Sequence, residues 1–342
     1  MLPNPNASVI ATVRQIEGLT WSGTASGTDR SRASDASDSA VQPVRIASVG
    51  KTFTAATILR LVEDGRLGVD DPVDRHLTLA TVELLAGDGY DLSSMTIRHL
   101  LQHTSGLFDY AFGEGSPMLD RALSDRSHRW TRDEQVALAI SVGDPLGAPG
   151  EAFHYSDTGY IVLGEIIEQV VGRPYHEVMR DLLAYDRLGL GATWMESGEQ
   201  PPAGAAPIAR SFFAETELTD LDFSIDAFGG GGLAAATNDV ARFFEALLAG
   251  KVLKPETLAL MTEVPDTNRG LSEFGVQLGD GASGLYRLDL GSLGTCWSHR
   301  GFLGTIAVTC PDVGATVVVT TNTALTDPLP LAVELLTIAT RP

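Results

Sequence analysis

Apolar residues crowd nearly every position of one stretch of this chain. Phe53, Ala55, Ala56, Ile58, Leu59, Leu61 and Val62 leave Arg60 as the only charge before Glu63 and Asp64. A helix over these residues is apolar almost all round and belongs inside the protein. Gly65 supplies its stop. Upstream, residues 8–14 and 19–25 are β-rich runs joined by Gln-Ile-Glu-Gly, which predicts an opening hairpin. Residues 26–43, crowded with Ser, Asp, Arg and Gly, lack an apolar period and predict a long surface loop.

After Gly65 a turn region leads to a short helix within 96–107 that Gly106 ends, and helical patterns follow at 131–141, 158–171, 175–184, 237–249 and 255–262. Residues 198–207 and Gly229 to Gly232 are breaker-rich loops. From 273 the period changes to strands at 273–278, 285–290, 295–299, 305–310 and 315–321, with a closing helix over 329–340. Strands, helices, then strands again predict an α+β fold in which the first hairpin joins the late strands in one antiparallel sheet. The expected organisation is a single domain, with a sheet lobe from 1–47 and 270–342 and a mainly helical lobe over 48–269. The helix that begins near Ser48 falls at the seam, where ligand sites often form.

Composition narrows the partners. The 342 residues carry a formal net charge of −20, which argues against nucleic acid and anionic membrane surfaces, since both need clustered Lys and Arg. Small neutral or cationic molecules fit better. No run is long enough to span a bilayer, and Met-Leu-Pro-Asn-Pro-Asn lacks the basic and apolar regions of a signal peptide. The expectation is a cytoplasmic protein, or one whose leader was removed. Cys296 and Cys310 are too few for a disulfide framework, and although a hairpin would place them roughly opposite, the reading adopted is two reduced core thiols.

The candidate chemistry starts at Arg45-Ile-Ala-Ser48-Val-Gly-Lys51. Ser48 and Lys51 share a helical face, and a serine hydroxyl needs a neighbour to take its proton. The N-terminal end of the helix also favours developing negative charge there. The same two residues would serve as an N-cap and a solvated first-turn charge, so other stretches must decide.

Two stretches do. Phe153-His-Tyr155-Ser156-Asp157 leads into a helix, and Trp297-Ser-His299-Arg300-Gly301-Phe302 lies where one strand turns into the next. With Ser48-Val-Gly-Lys51, Tyr155-Ser-Asp157 and His299-Arg-Gly301 in that order, about a hundred and then about 140 residues apart, the chain resembles the serine β-lactamase and penicillin-binding-protein superfamily. His103-Thr-Ser-Gly-Leu107 and Phe302-Leu-Gly-Thr305 look like the branch of class C β-lactamases, D-Ala-D-Ala carboxypeptidases, D-aminopeptidases and related esterases. The resemblance implies a β-lactamase/transpeptidase-like fold and a serine hydrolase that works without a cofactor on an ester, an amide or a short peptide.

Carried over residue by residue, the resemblance implies that Ser48 attacks a carbonyl while Lys51 and the Tyr155 phenol share its proton, one of the two being the base. The oxyanion would sit between the backbone N–H groups of Ser48 and Phe302, and Gly301 would let the strand edge approach the substrate. Tyr155 could instead be aromatic packing. Asp157 stands where the family's usual residue is Asn; it either contacts substrate or merely N-caps the next helix, and an ionised Asp cannot donate as an amide does. His299 replaces the Lys of most β-lactamases, and Arg300 beside it either supplies that charge or, as strand alternation favours, points to solvent. These departures argue against strong β-lactamase activity and make a substrate with a free amine attractive. The competing reading is a penicillin-binding sensor or scaffold of the same fold.

Other motifs carry less. His99 and His103 are four apart on a helix, but the Glu of H-E-x-x-H and a third ligand are missing, which points to a structural role rather than metal. The glycine run lacks the Lys-Ser/Thr of a phosphate loop, and no G-x-S-x-G occurs.

Overall fold

A computed structural model describes residues 7–15, 18–26, 41–273 and 276–341. The surface loop expected over 26–43 falls mostly outside these residues, as does part of the strand expected at 273–278.

The strands in chain order are β1 (Ser8–Gln15), β2 (Thr20–Ser26), β3 (Pro43–Arg45), β4 (Thr193–Met195), β5 (Phe212–Phe213), β6 (Thr216–Glu217), β7 (Leu233–Ala236), β8 (Leu271–Glu273), β9 (Val276–Gly281), β10 (Tyr286–Asp289), β11 (Thr295–Gly301), β12 (Thr305–Cys310) and β13 (Ala315–Thr320). Eight of them form one antiparallel sheet in the order β2-β1-β13-β12-β11-β10-β9-β8. The opening hairpin thus docks onto the last strand, as the strand–helix–strand order predicts. Its pairing register runs from Ile10 opposite Thr320 to Gln15 opposite Ala315.

Both faces of the sheet centre are covered, so its strands read as continuous apolar runs rather than alternating ones. Val317, Val319, Ile306 and Val308 face the closing helix Leu329–Ala339. Ile10, Ala307 and Val318 face the larger core that includes helix Thr237–Leu248 and the helical region. Helix Gly50–Glu63 is buried from Gly50 to Leu59 and again at Leu61, and Phe53 stacks on Phe243 with ring centroids 3.7 Å apart. Gly65, at φ +66°, turns the chain out of it.

Two helices, Leu79–Gly87 and Met118–Ser124, and a small sheet in the order β3-β7-β4 lie where no element was expected. Their apolar runs are too short to show a period. The small sheet matters because β3 feeds straight into Ser48. Arg45, at its end, is buried against Glu196 (Nε to Oε1 2.9 Å, Nη2 to Oε2 3.0 Å), donates to the carbonyls of Leu218 (2.7 Å) and Leu221 (3.1 Å), and lies 4.0 Å over the Phe223 ring. One side chain thereby ties the 196–223 segment to the strand preceding the site.

The cysteine expectation needs correction. Trp297 pairs with Thr309, so Cys296 and Cys310 are the next facing pair on β11 and β12, and they form a disulfide fully buried against the closing helix. Their composition alone could not reveal this, because the register sets the pairing. Denatured protein is expected to show no free thiols until reductant is added and two afterwards. Replacing both by Ala should cost roughly 3 kcal/mol in denaturant unfolding, the loop-closure magnitude for a ring of this size.

Candidate active site

The chain reaches Ser48 through a sharp strand-to-helix turn. Ile46 N–H donates to the Leu233 carbonyl (3.1 Å), Ala47 takes φ +46°, and residues Ala47–Val49 form a 3₁₀ turn that runs directly into helix Gly50–Glu63. A left-handed alanine costs on the order of 1–2 kcal/mol. That strain turns Ser48 toward the surface of an otherwise sealed helix, leaving it 8% exposed while Lys51 is 0% exposed.

Lys51 Nζ has three acceptors. It donates to Ser48 Oγ (3.0 Å), to the Gly230 carbonyl (2.6 Å) and to Asp157 Oδ1, with which it forms a buried ion pair. An ammonium has three N–H donors, and all three are used. Gly230 belongs to the breaker run, which is not a simple loop: a Cβ on Gly50 would lie 3.1 Å from Gly231 Cα, and one on Gly164 would lie 1.9 Å from the Phe228 carbonyl. The close packing shows within the run as well, where a Cβ on Gly229 would lie 2.2 Å from the Tyr160 carbonyl oxygen and one on Gly231 2.2 Å from the Asp226 carboxylate.

Asp157 opens helix Asp157–Val171, but it is not the cap. Ser156 Oγ accepts from Gly159 N–H (3.1 Å) and does that work. This corrects the capping alternative and leaves the Asp157 carboxylate for Lys51. Tyr155 sits beside it, half-buried, with its ring centroid 5.2 Å from Lys51 Nζ. His103 holds this corner: its ring stacks on Tyr155 at 4.4 Å, and its Nδ1 accepts the Ser156 N–H (3.1 Å). His99 Nδ1 accepts the Thr96 N–H (3.1 Å) in a capping box. Each imidazole thus accepts a backbone N–H through Nδ1.

On the opposite wall, β11 presents His299, and Gly301 presses against the turn before Ser48, where a Cβ would lie 2.3 Å from the Ile46 carbonyl oxygen. Arg300, next along the strand, lines the same cleft and does not point freely into solvent. It is paired with Asp327 and donates to the Gln277 carbonyl (3.0 Å), a correction due to the packing of the 325–328 segment against the sheet edge.

Ser48 lies between two pockets. One is a cleft of about 730 Å³ lined by Tyr155, Val276, Tyr286, His299 and Thr326 and open past exposed Leu325. The other, about 580 Å³, is walled by Met118, Leu218, Leu221 and Phe223, with Asp157 and Asp226 also in its lining. Phe112 and Phe302, with rings 4.8 Å apart, line both and separate them. Phe112, Asp109 and Asp226 carry no motif and were not expected here.

Burial dominates the electrostatics. It pushes Asp226 up to about 7, with the Asp157 charge adding to the rise and Lys51 opposing it. Burial and Asp157 push Asp109 up to about 8, against backbone donors from Ala111 and Phe112. Burial and then the Lys51 charge drive His299 down to about 3. The site thus holds one ion pair surrounded by groups kept neutral.

A pH dependence follows. Native Asp109 keeps a proton between its unfolded value of 3.8 and about 8 that the unfolded chain has lost, so stability falls as pH rises through that window. Asp109→Asn keeps one of the two acceptor oxygens, at a stability cost that does not vary with pH, and lacks this loss. Its urea midpoint should therefore rise relative to wild type on going from pH 5 to pH 9; a constant difference would refute the assignment.

Comparison with known proteins bears on the family and the fold. The Beta-lactamase family profile matches residues 18–337. Esterase EstB of Burkholderia gladioli is 32% identical over 243 residues, 63% of this chain and 59% of its own length. Penicillin-binding protein 4* of Bacillus subtilis (strain 168) is 30% identical over 217 residues, 59% of this chain and 44% of its own. The chain thus spans about half the length of these curated relatives. Among solved structures, a D-stereospecific amidohydrolase from Streptomyces sp. has a TM-score of 0.79 at 26% identity, with 96% of this chain and 93% of that one covered. The D-amino acid amidase of Ochrobactrum anthropi SV3 shares the fold, with a TM-score of 0.78 at 23% identity over 98% of this chain and 96% of its own. With its α+β fold and its three motifs gathered around Ser48, the chain belongs to the Beta-lactamase family.

Proposed function

We propose that this chain is a serine hydrolase that cleaves an ester or amide through an acyl-enzyme. The observation that carries the proposal is the 3.0 Å contact from Lys51 Nζ to Ser48 Oγ, made by an amine whose other two donors are already taken. An ammonium held this way has no lone pair, so it stabilises charge rather than accepting the serine proton. Tyr155 is then the base: it shares the cleft with Ser48, and its ring lies 5.2 Å from the Lys51 ammonium.

Ser48 Oγ adds to the substrate carbonyl carbon as its proton passes to the Tyr155 oxygen. The same proton goes to the leaving oxygen or nitrogen as that bond breaks. Water then gives a proton to Tyr155 as it attacks the acyl carbon, and that proton returns to Ser48 Oγ as the acyl–oxygen bond breaks and the acid departs. The backbone N–H groups of Ser48 and Phe302 are the proposed oxyanion donors. Asp157 acts through Lys51 as a positioning residue, so the argument for a free amine at its carboxylate weakens.

The acyl group stays bonded to Ser48 while the leaving group must depart. The mainly apolar pocket behind Phe112 and Phe302 therefore suits the acyl group, and the cleft that runs out past Leu325 suits the leaving group. The similarity to an esterase and to a D-stereospecific amidohydrolase supports carboxylic esters and D-amino-acid amides as substrate classes.

Ser48→Ala should abolish both p-nitrophenyl ester turnover and the covalent fluorophosphonate adduct seen by intact mass. Tyr155→Phe should lower kcat/KM by ~10²–10⁴, the range for loss of a general base. An adduct on the wild type without turnover would mark an acylation sensor instead. In a series of p-nitrophenyl esters, kcat/KM should rise about fourfold per acyl methylene, from ~0.8 kcal/mol each, until the apolar pocket is full. Gly301→Ala should cost ~10² in kcat/KM by displacing the strand edge from Ser48, with circular dichroism unchanged.

A further inference from the structure

The cleft wall opposite Tyr155 carries a histidine whose two nitrogens are unequal. His299 is 2% exposed, and its Nδ1 lies 2.8 Å from the Arg300 carbonyl oxygen. A carbonyl can only accept, so Nδ1 carries the hydrogen and Nε2 carries a lone pair. Nε2 is buried and has no hydrogen-bond partner, although the residue lines the cleft that contains Ser48. The Tyr286 ring meets the imidazole edge-on at 5.4 Å and limits its rotation. Burial beside Lys51 opposes a second proton on this ring.

The cleft also lacks a free cation. Among the described residues that line it, Arg300 is the one with a positive charge, and its guanidinium is committed to Asp327 and the Gln277 carbonyl. Lys51 has no donor left over. A carboxylate placed here would face a lone pair and lose its hydration without gaining a partner, whereas an N–H or O–H would satisfy the orphaned nitrogen.

We propose that this cleft selects leaving groups bearing a neutral N–H or O–H donor and rejects those bearing a carboxylate, with His299 Nε2 as the acceptor that decides between them. The inference rests on the acyl-enzyme reading above and names its substrate class: carboxamide-bearing esters and amides rather than free C-terminal acids. Penicillins and cephalosporins, which carry a carboxylate, fall on the rejected side.

Three phenylacetyl esters test this, with leaving groups of glycolamide, methyl glycolate and glycolate, alongside p-nitrophenyl phenylacetate as a reference. The expected order of kcat/KM is glycolamide, methyl glycolate, glycolate, with at least ~10-fold between the first and last, the scale for a buried polar group left unpaired. His299→Lys should invert the glycolamide-to-glycolate preference. Glycolate turned over as fast as glycolamide by the wild type would overturn the proposal, and methyl glycolate equal to glycolamide would remove the acceptor role. The wild-type series decides even if the variant does not fold. Reference turnover with either adverse result overturns only the selectivity, whereas a silent reference ester overturns the hydrolase reading and this inference with it.

Discussion

The architecture around Ser48 depends on one buried ammonium. Lys51 has no exposure, and a charge removed from water is tolerated only when it is paired and hydrogen-bonded. Its three acceptors come from three separate parts of the chain: the turn before its own helix, the first residue of helix Asp157–Val171, and the carbonyl of Gly230. Folding must bring all three to within hydrogen-bond reach at once. The same interaction that allows the lysine to be buried places its proton against the serine oxygen, so structural necessity and chemistry coincide at one atom.

Close backbone approach is the second constraint, and it follows from the first. For Gly230 to reach Lys51, the glycine run must lie directly on two helices, where a methyl group at Gly50 or Gly164 would collide with its backbone. On the other side, β11 presses Gly301 against Ile46, and Ala47 adopts a left-handed turn between them. Such strain persists only where surrounding contacts over-determine it. The β3 pairing, the Leu233 carbonyl and the Arg45 cluster provide those contacts.

Low polarity then sets the chemistry available. Asp109, Asp226, His103 and His299 are all shifted by burial toward their neutral forms, so the Lys51–Asp157 pair acts in a medium where its field is poorly screened. The protein's net charge of −20 therefore says little about the site itself. Its two pockets are largely apolar, and the Phe112–Phe302 partition gives each side of the reacting carbon a separate chamber.

Local sequence determined much of this. The all-apolar stretch after Lys51, the β-rich ends and the helical middle specify which segments are helix or strand, because their periods follow from hydrophobic burial along a single element. The three motifs identified Ser48, Lys51, Tyr155, Asp157, His299 and Gly301, since each has a fixed chemical type at a readable position. Tertiary structure alone decided what those groups do to one another. It was the β11–β12 register that joined Cys296 to Cys310, and packing near the sheet edge that tied Arg300 to Asp327. It was the convergence of distant backbone that gave Lys51 its third acceptor. Periodicity reports which face of an element is buried, but partners hundreds of residues apart meet through packing, and packing leaves no period to read.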